Sequence, residues 1–151
     1  MIDPIAVLDR EADAIITEAA AALERSQQRH YAEAGPQAVR ERMQLLLGLV
    51  RESVSTHDLV PIVEYSTRLA HERFDAGFDI REVLTAFNVL EETIWGKVLE
   101  AVPAAEFANA IGLVGTVFGA GRDALSCTYV SLASKQHVPS LDLSALFRGG
   151  R

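Results

Sequence analysis

Apolar residues recur at three- and four-residue spacing from end to end of this chain, and the period-two alternation that marks a strand is absent. The chain therefore reads as all-α. The first helix opens with Asp3 as N-cap and Pro4 at the first helical position, where the missing N–H would have had no partner. Its stripe of Ile5, Leu8, Ala12, Ile15, Ala19 and Ala22 has the heptad-like spacing of a long antiparallel or coiled contact, and its alanines admit a close backbone. Gly35-Pro36 then ends one segment and starts the next, since glycine accepts a left-handed cap and proline is tolerated only in a first turn. The second helix carries Val39, Met43, Leu46, Leu47, Val50 and Val54 on one face, with Arg40, Glu41, Arg51 and Glu52 opposite.

A corner from Ser55 to Asp58 leads into the third helix, which Asp58 can cap, leaving Pro61 in the permissive first turn. Leu59, Ile62, Val63, Leu69 and Phe74 form its expected inward face, and Gly77 ends it. Asp79 followed by Glu82 approximates a capping box, in which each side chain satisfies a free backbone N–H, so the fourth helix starts there. Its stripe of Ile80, Val83, Leu84, Phe87, Leu90, Ile94, Val98 and Val102 is the most regular in the chain, and Pro103 closes it. The fifth helix runs from about Ala104 to Gln136 and would be roughly 50 Å long at 1.5 Å per residue, more than one domain is thick.

These elements predict a five-helix bundle with a long last helix over residues 1–137, followed by a tail, 138–151, of different character. In the tail Leu141, Leu143, Leu146 and Phe147 are too apolar for a solvated segment. They either dock back on the helices or bind another chain.

At 151 residues and 49% hydrophobic, the chain suits one globular domain with a real core. A net charge of -7 without any cluster of Lys and Arg argues against a nucleic-acid surface, which needs phosphate-neutralising cations. The single cysteine, Cys127, cannot form an internal disulfide, and Met1-Ile2-Asp3-Pro4 lacks the basic and apolar regions of a signal peptide; both fit a reducing cytoplasm. Unbroken apolar runs fall short of the roughly 20 residues that span a bilayer, so a soluble protein is expected.

Candidate chemistry is sparse. The histidines are His30, His57, His71 and His137, and no pair has the spacing that places two ligands on one helix face. Without a Glu-x-x-His, the ferritin-like di-metal signature is missing as well. His71 alone recommends itself as an axial haem ligand only weakly, because a helical histidine beside Glu72 and Arg73 suits a surface or boundary position. The glycines between Gly112 and Gly121 imitate a phosphate loop, yet Phe107, Ile111, Val114, Phe118 and Leu125 carry a helical period straight across them. Gly112, Gly115 and Gly119 are better read as clearing a groove for another helix. Each costs about 1 kcal/mol in helix propensity, which a contact with the domain core or with a second subunit must offset.

Glu64, Glu72, Glu82, Glu91, Glu92 and Glu100 fall mainly on outward positions, a solvated face, with Glu91 the exception beside Phe87, Leu90 and Ile94. Tyr65 and Trp95 suit the core edge. Cys127 lacks a neighbouring histidine to activate it. The sequence thus offers no catalytic residues, no metal ligands and no cofactor site.

The stretch Leu69-Ala70-His71-Glu72-Arg73-Phe74-Asp75-Ala76-Gly77-Phe78-Asp79-Ile80-Arg81-Glu82-Val83-Leu84-Thr85-Ala86-Phe87, followed by Leu90 and Ile94-Trp95, resembles the RsbRD N-terminal domain family. That family is found ahead of STAS domains in stressosome co-antagonists and ahead of other outputs in bacterial regulators. A helix ending in Arg and Gly precedes one beginning Leu/Ile-x-Glu-Val/Leu-Leu, which falls here on Arg73, Gly77, Ile80, Glu82, Val83, Leu84 and Phe87, with Asp79 as the cap. The resemblance implies an all-helical sensor module, related to non-haem globins or helical bundles, that usually dimerises and does not catalyse.

No STAS, kinase or DNA-binding output follows Gln136, so the expectation is a free-standing sensor or adaptor, or part of a longer regulator. The combined expectation is a cytoplasmic, non-catalytic homodimer acting by contact with a signalling protein. Its rival is a globin-like domain without haem that holds a small apolar molecule between the third, fourth and fifth helices.

Overall fold

The computed structural model describes residues 2–137, and among them it contains seven α-helices, one 3-10 turn and no strand. The helices are α1 (Pro4–Arg10), α2 (Ala12–Arg25), α3 (Arg29–Ala34), α4 (Pro36–Thr56), α5 (Val60–Asp75), α6 (Ile80–Ala101) and α7 (Phe107–His137), with the 3-10 turn at Ala104–Glu106. Leu143, Leu146 and Phe147 lie outside the described residues.

Two local events turn the expected five helices into seven. Glu11, at φ -98° and ψ 8°, separates α1 from α2, although bonds from its N–H to the Val7 carbonyl and from Ile15 N–H to its own carbonyl keep the two nearly continuous. Gln27 takes a left-handed φ of 56° after α2, and the six residues of α3 follow before Gly35. Only Tyr31 of α3 is buried, so the segment is too short for any periodicity to reveal it.

The expected punctuation operates. Asp3 accepts the Ile5 N–H at 3.0 Å as the cap of α1, whereas the N-cap of α5 is Leu59 and Asp58, one residue before it, accepts the Val60 N–H at 3.0 Å. Asp79 and Glu82 form a complete capping box at the start of α6. At the end of α5, Phe78 N–H bonds the Arg73 carbonyl at 2.9 Å and Gly77 N–H bonds that of Phe74 at 3.0 Å, with Gly77 at φ 84°. That paired arrangement is a Schellman motif, which satisfies carbonyls the helix end would otherwise leave free and needs a left-handed residue.

Packing buries the expected stripes of α4 and α6, from Val39 to Val54 and from Val83 to Val102, with Ile80 and Leu84 half-covered. On α5 the inward face is Ile62, Ser66, Leu69 and Ala70, whereas Val63 is 37% exposed. Ranking positions by apolarity picked the wrong side of one turn, because the true inner face uses small residues where α7 comes closest. The matching residue on α7 is Gly121. A Cβ there would lie 3.1 Å from the Phe87 ring, 3.2 Å from Ile62 and 3.2 Å from the Ser66 hydroxyl.

Gly112, Gly115 and Gly119 behave differently, since a Cβ at any of them would meet nothing within 4 Å. The domain core therefore makes no use of them as a groove. The helical stretch Ala104–Lys135 is also, by length and composition, long and apolar enough to cross a membrane, its most apolar 18 residues having a mean hydropathy of 1.2. Counting unbroken runs overlooked this, because small polar residues interrupt an otherwise apolar helix. In the structure α7 packs along α5, α6 and α4 and supplies Val114, Val117, Phe118 and Leu125 to the core.

A methyl at Gly121 would crowd three neighbours, and a branched side chain there cannot be absorbed by small shifts in a filled interior. Urea unfolding of Gly121→Leu should show a loss of about 1–3 kcal/mol or more from overpacking.

Candidate functional site

Only Ala76, Gly77, Phe78 and Asp79 separate α5 from α6, so the Schellman motif and the capping box together fix where Phe78 goes. Its ring stacks on His30, with centroids 4.4 Å apart at 26°, and meets Tyr31 edge-on at 5.4 Å. The guanidinium carbons of Arg73 and Arg42 lie 5.2 Å and 5.9 Å from its centroid, a cation–π arrangement. Tyr129 donates its hydroxyl to the Phe78 carbonyl at 3.3 Å and places its ring edge-on to Phe74. One four-residue corner thus gathers side chains from α3, α4, α5 and α7.

Beneath it sits Glu82, 7% exposed. Its carboxylate accepts the Asp79 N–H at 3.3 Å and the His30 N–H at 3.1 Å, and its two oxygens lie 2.8 Å and 3.0 Å from His30 Nδ1. An ionised carboxylate only accepts, so the bond requires Nδ1 to carry the proton. Burial pushes the Glu82 carboxyl up, but the His30 ring and the His30 and Asp79 N–H groups outweigh it and hold the carboxyl below its ordinary 4.5. Glu82 was expected on a solvated face with Glu64, Glu72, Glu92 and Glu100, and Glu91 as the exception. The structure corrects Glu82 alone: it is buried, as is Glu91, whereas the other four are exposed.

Beside Phe78 a cavity of about 20 Å³ is bordered by Tyr31, Tyr65, Arg42 and Arg73, with Met43, Leu46 and Phe87 among its apolar neighbours. Burial pushes the Tyr31 hydroxyl up to about 12 and raises that of Tyr65, against the lowering effect of the two arginines. Burial and then the charge of Arg73 lower Arg42.

A second feature lies along α6 and α7. Arg122 donates to the buried Glu91 carboxylate at 2.8 Å and to the Asn88 side chain at 3.4 Å, fixing the register of the two antiparallel helices. One and two turns beyond Glu91 come Trp95 and Leu99, 37% and 43% exposed. One, two and three turns before Arg122 come Gly119, Gly115 and Gly112. The two stripes therefore run side by side and form an outward face with large apolar residues on one helix and glycines on the other.

The expected pocket between α5, α6 and α7 is instead filled by Phe87, Leu90, Phe118 and Leu125. A groove of about 350 Å³ opens elsewhere, between α2, α3 and α4, over Ala20, Ala21, Leu23 and Val39. His71 is exposed, and Glu91 is engaged by Arg122. Among the described residues no three His, Cys, Asp or Glu side chains gather closely enough to hold a metal ion.

The positions singled out from the sequence meet around one corner. Arg73, Gly77, Asp79, Ile80, Glu82, Leu84 and Phe87 end α5, start α6 and line the interior behind them. Sequence reasoning missed His30, Tyr31, Arg42 and Tyr129, because what unites them with Phe78 and Glu82 is tertiary contact across about 50 residues of chain. The solitary position of Tyr31 and His30 between two chain breaks was the only signal available.

The fold and the corner define an all-helical domain whose buried polar groups tie helix ends together. Residues 6–131 match the family model of the RsbT co-antagonist protein rsbRD N-terminal domain, and the chain belongs to that family. It is a family of bacterial stress-signalling regulator domains and is not known for catalysis. No curated protein and no solved structure matches the chain.

Glu82→Gln should cost about 1–3 kcal/mol at neutral pH, the range for a lost charge-assisted bond in a buried site. Since folding lowers the Glu82 pKa, its contribution is present above pH 4.5 and disappears as pH falls through the folded value. Urea unfolding between neutral and acid pH should therefore show wild type and variant converging on the acid side.

Proposed function

We propose that this chain is a non-catalytic sensor or adaptor module that works by protein contact as a homodimer, joined through the α6–α7 face. The observation that carries the reading is the open space over Gly112, Gly115 and Gly119. Three glycines inside one helix cost it about 1 kcal/mol each, and among the described residues a Cβ at any of them would meet no neighbour within 4 Å. Trp95 and Leu99 stand exposed beside them. A second copy related by a two-fold axis would lay each apolar wall over the partner's glycine stripe, the self-complementary arrangement that closed dimers require.

The apolar character of α7 then serves an interface between copies, and Arg122 and Asp123 near its middle argue against a bilayer. This fits a soluble cytoplasmic protein. Family membership supports a signalling protein of the stressosome as the further partner. The route of signal transfer runs from the α5–α6 corner to α7 through the Tyr129–Phe78 bond.

Gly115→Leu provides the test, because its Cβ meets no described neighbour within 4 Å while the added side chain would block a partner helix. Light scattering should find the variant monomeric where wild type is dimeric, with a melting temperature unchanged or raised by the gain in helix propensity. A wild type that stays monomeric at high micromolar concentration removes the dimer from the proposal.

The groove between α2, α3 and α4 favours a second reading, a small apolar ligand, since its volume of about 350 Å³ falls within the range of small-molecule sites. Native mass spectrometry should then reveal a co-purifying mass that Ala20→Trp displaces.

A further inference from the structure

Arg42 and Arg73 reach the same small cavity from different helices, and neither forms an ion pair with a carboxylate among the described residues. Arg42 Nη1 and Arg73 Nε are both buried without a hydrogen-bond partner. Their surroundings are the Phe78 and Tyr31 rings, the Tyr31 hydroxyl, which hydrogen-bonds Arg73, and the Tyr65 side chain, all neutral. Aromatic faces offset part of a desolvated cation's cost, but they accept no conventional hydrogen bond. The charge of Arg73 disfavours that of Arg42, and an anion between the two would reverse this effect.

The cavity limits what that acceptor can be. At about 20 Å³ it has room for roughly one water-sized body, the minimum for a single water being about 10–15 Å³. Sulfate, phosphate and organic carboxylates are too large. A water fits, yet it carries no charge, so it would leave the repulsion between the two half-buried guanidiniums to solvent alone.

We propose that Arg42 and Arg73, with Tyr31 and Tyr65 beside them, form a site for one monatomic anion of the halide class, chloride being the natural occupant. The anion would sit behind Phe78 and link α4 to the last turn of α5. Occupancy then stiffens the corner from which α6 starts, so halide concentration becomes an input to this domain. This site stands whether or not the chain dimerises.

The test uses the described protein in sodium methanesulfonate, exchanged stepwise for chloride or bromide at constant ionic strength. Wild type should show a saturable rise in melting temperature, about 3–6 °C at ten times the dissociation constant. Arg73→Met and Arg42→Met should each abolish the saturable part. Crystals grown in bromide should give an anomalous peak between the two guanidiniums, a readout that does not depend on either variant folding. No halide-specific rise in wild type, the same rise in a folded arginine variant, or no bromide peak at the cavity would each overturn the proposal.

Discussion

The contact between Glu82 and His30 is the constraint on which the corner depends. One carboxylate caps the start of α6 from within and, in the same position, bonds a ring and a backbone N–H from α3. A buried carboxylate is stable only with its acceptor capacity filled. The short α3 must therefore stay against α6, and its presence brings Tyr31 and His30 to the Phe78 ring. Without that tie, six residues of helix between two breaks would have little to hold them, since isolated helices of such length are unstable in water.

A second constraint is how closely α7 approaches α5. Ser66 and Ala70 on one helix and Gly121 on the other reduce the separation until an added methyl group at Gly121 would lie 3.1–3.2 Å from its neighbours. Further along the same helix, Gly112, Gly115 and Gly119 meet no such neighbour. One residue type thus has two meanings within about ten positions of α7. Gly121 is held by the interior, and the other three leave the backbone exposed on a face bordered by Trp95 and Leu99.

Much of the fold was legible because the apolar stripes of α4 and α6 are long, and because Asp3, Asp79, Gly77 and Pro103 punctuate the chain by local chemistry alone. The family likeness rested on that same corner, and the match over residues 6–131 extends it to most of the chain. Three things were not legible. The α1–α2 break turns on one backbone angle at Glu11, and α3 is shorter than two helical turns. The polar cluster needs Arg42, Arg73, Tyr31 and Tyr129 to converge from four helices, and no spacing along the sequence encodes that. The glycine stripe was recognised as special, but its openness required knowing where α5 and α6 actually pass.

The chain has a single tryptophan and a single cysteine. Trp95 stands on the outward α6–α7 face, and Cys127 is exposed on α7 two residues from Tyr129, whose hydroxyl bonds the corner. The natural sequence therefore carries one indole on the α6–α7 face and one thiol on the outer side of α7, turned away from Tyr129. Fluorescence from Trp95 and a dye attached at Cys127 can follow the two regions separately, at the same time, and in an unmutated protein.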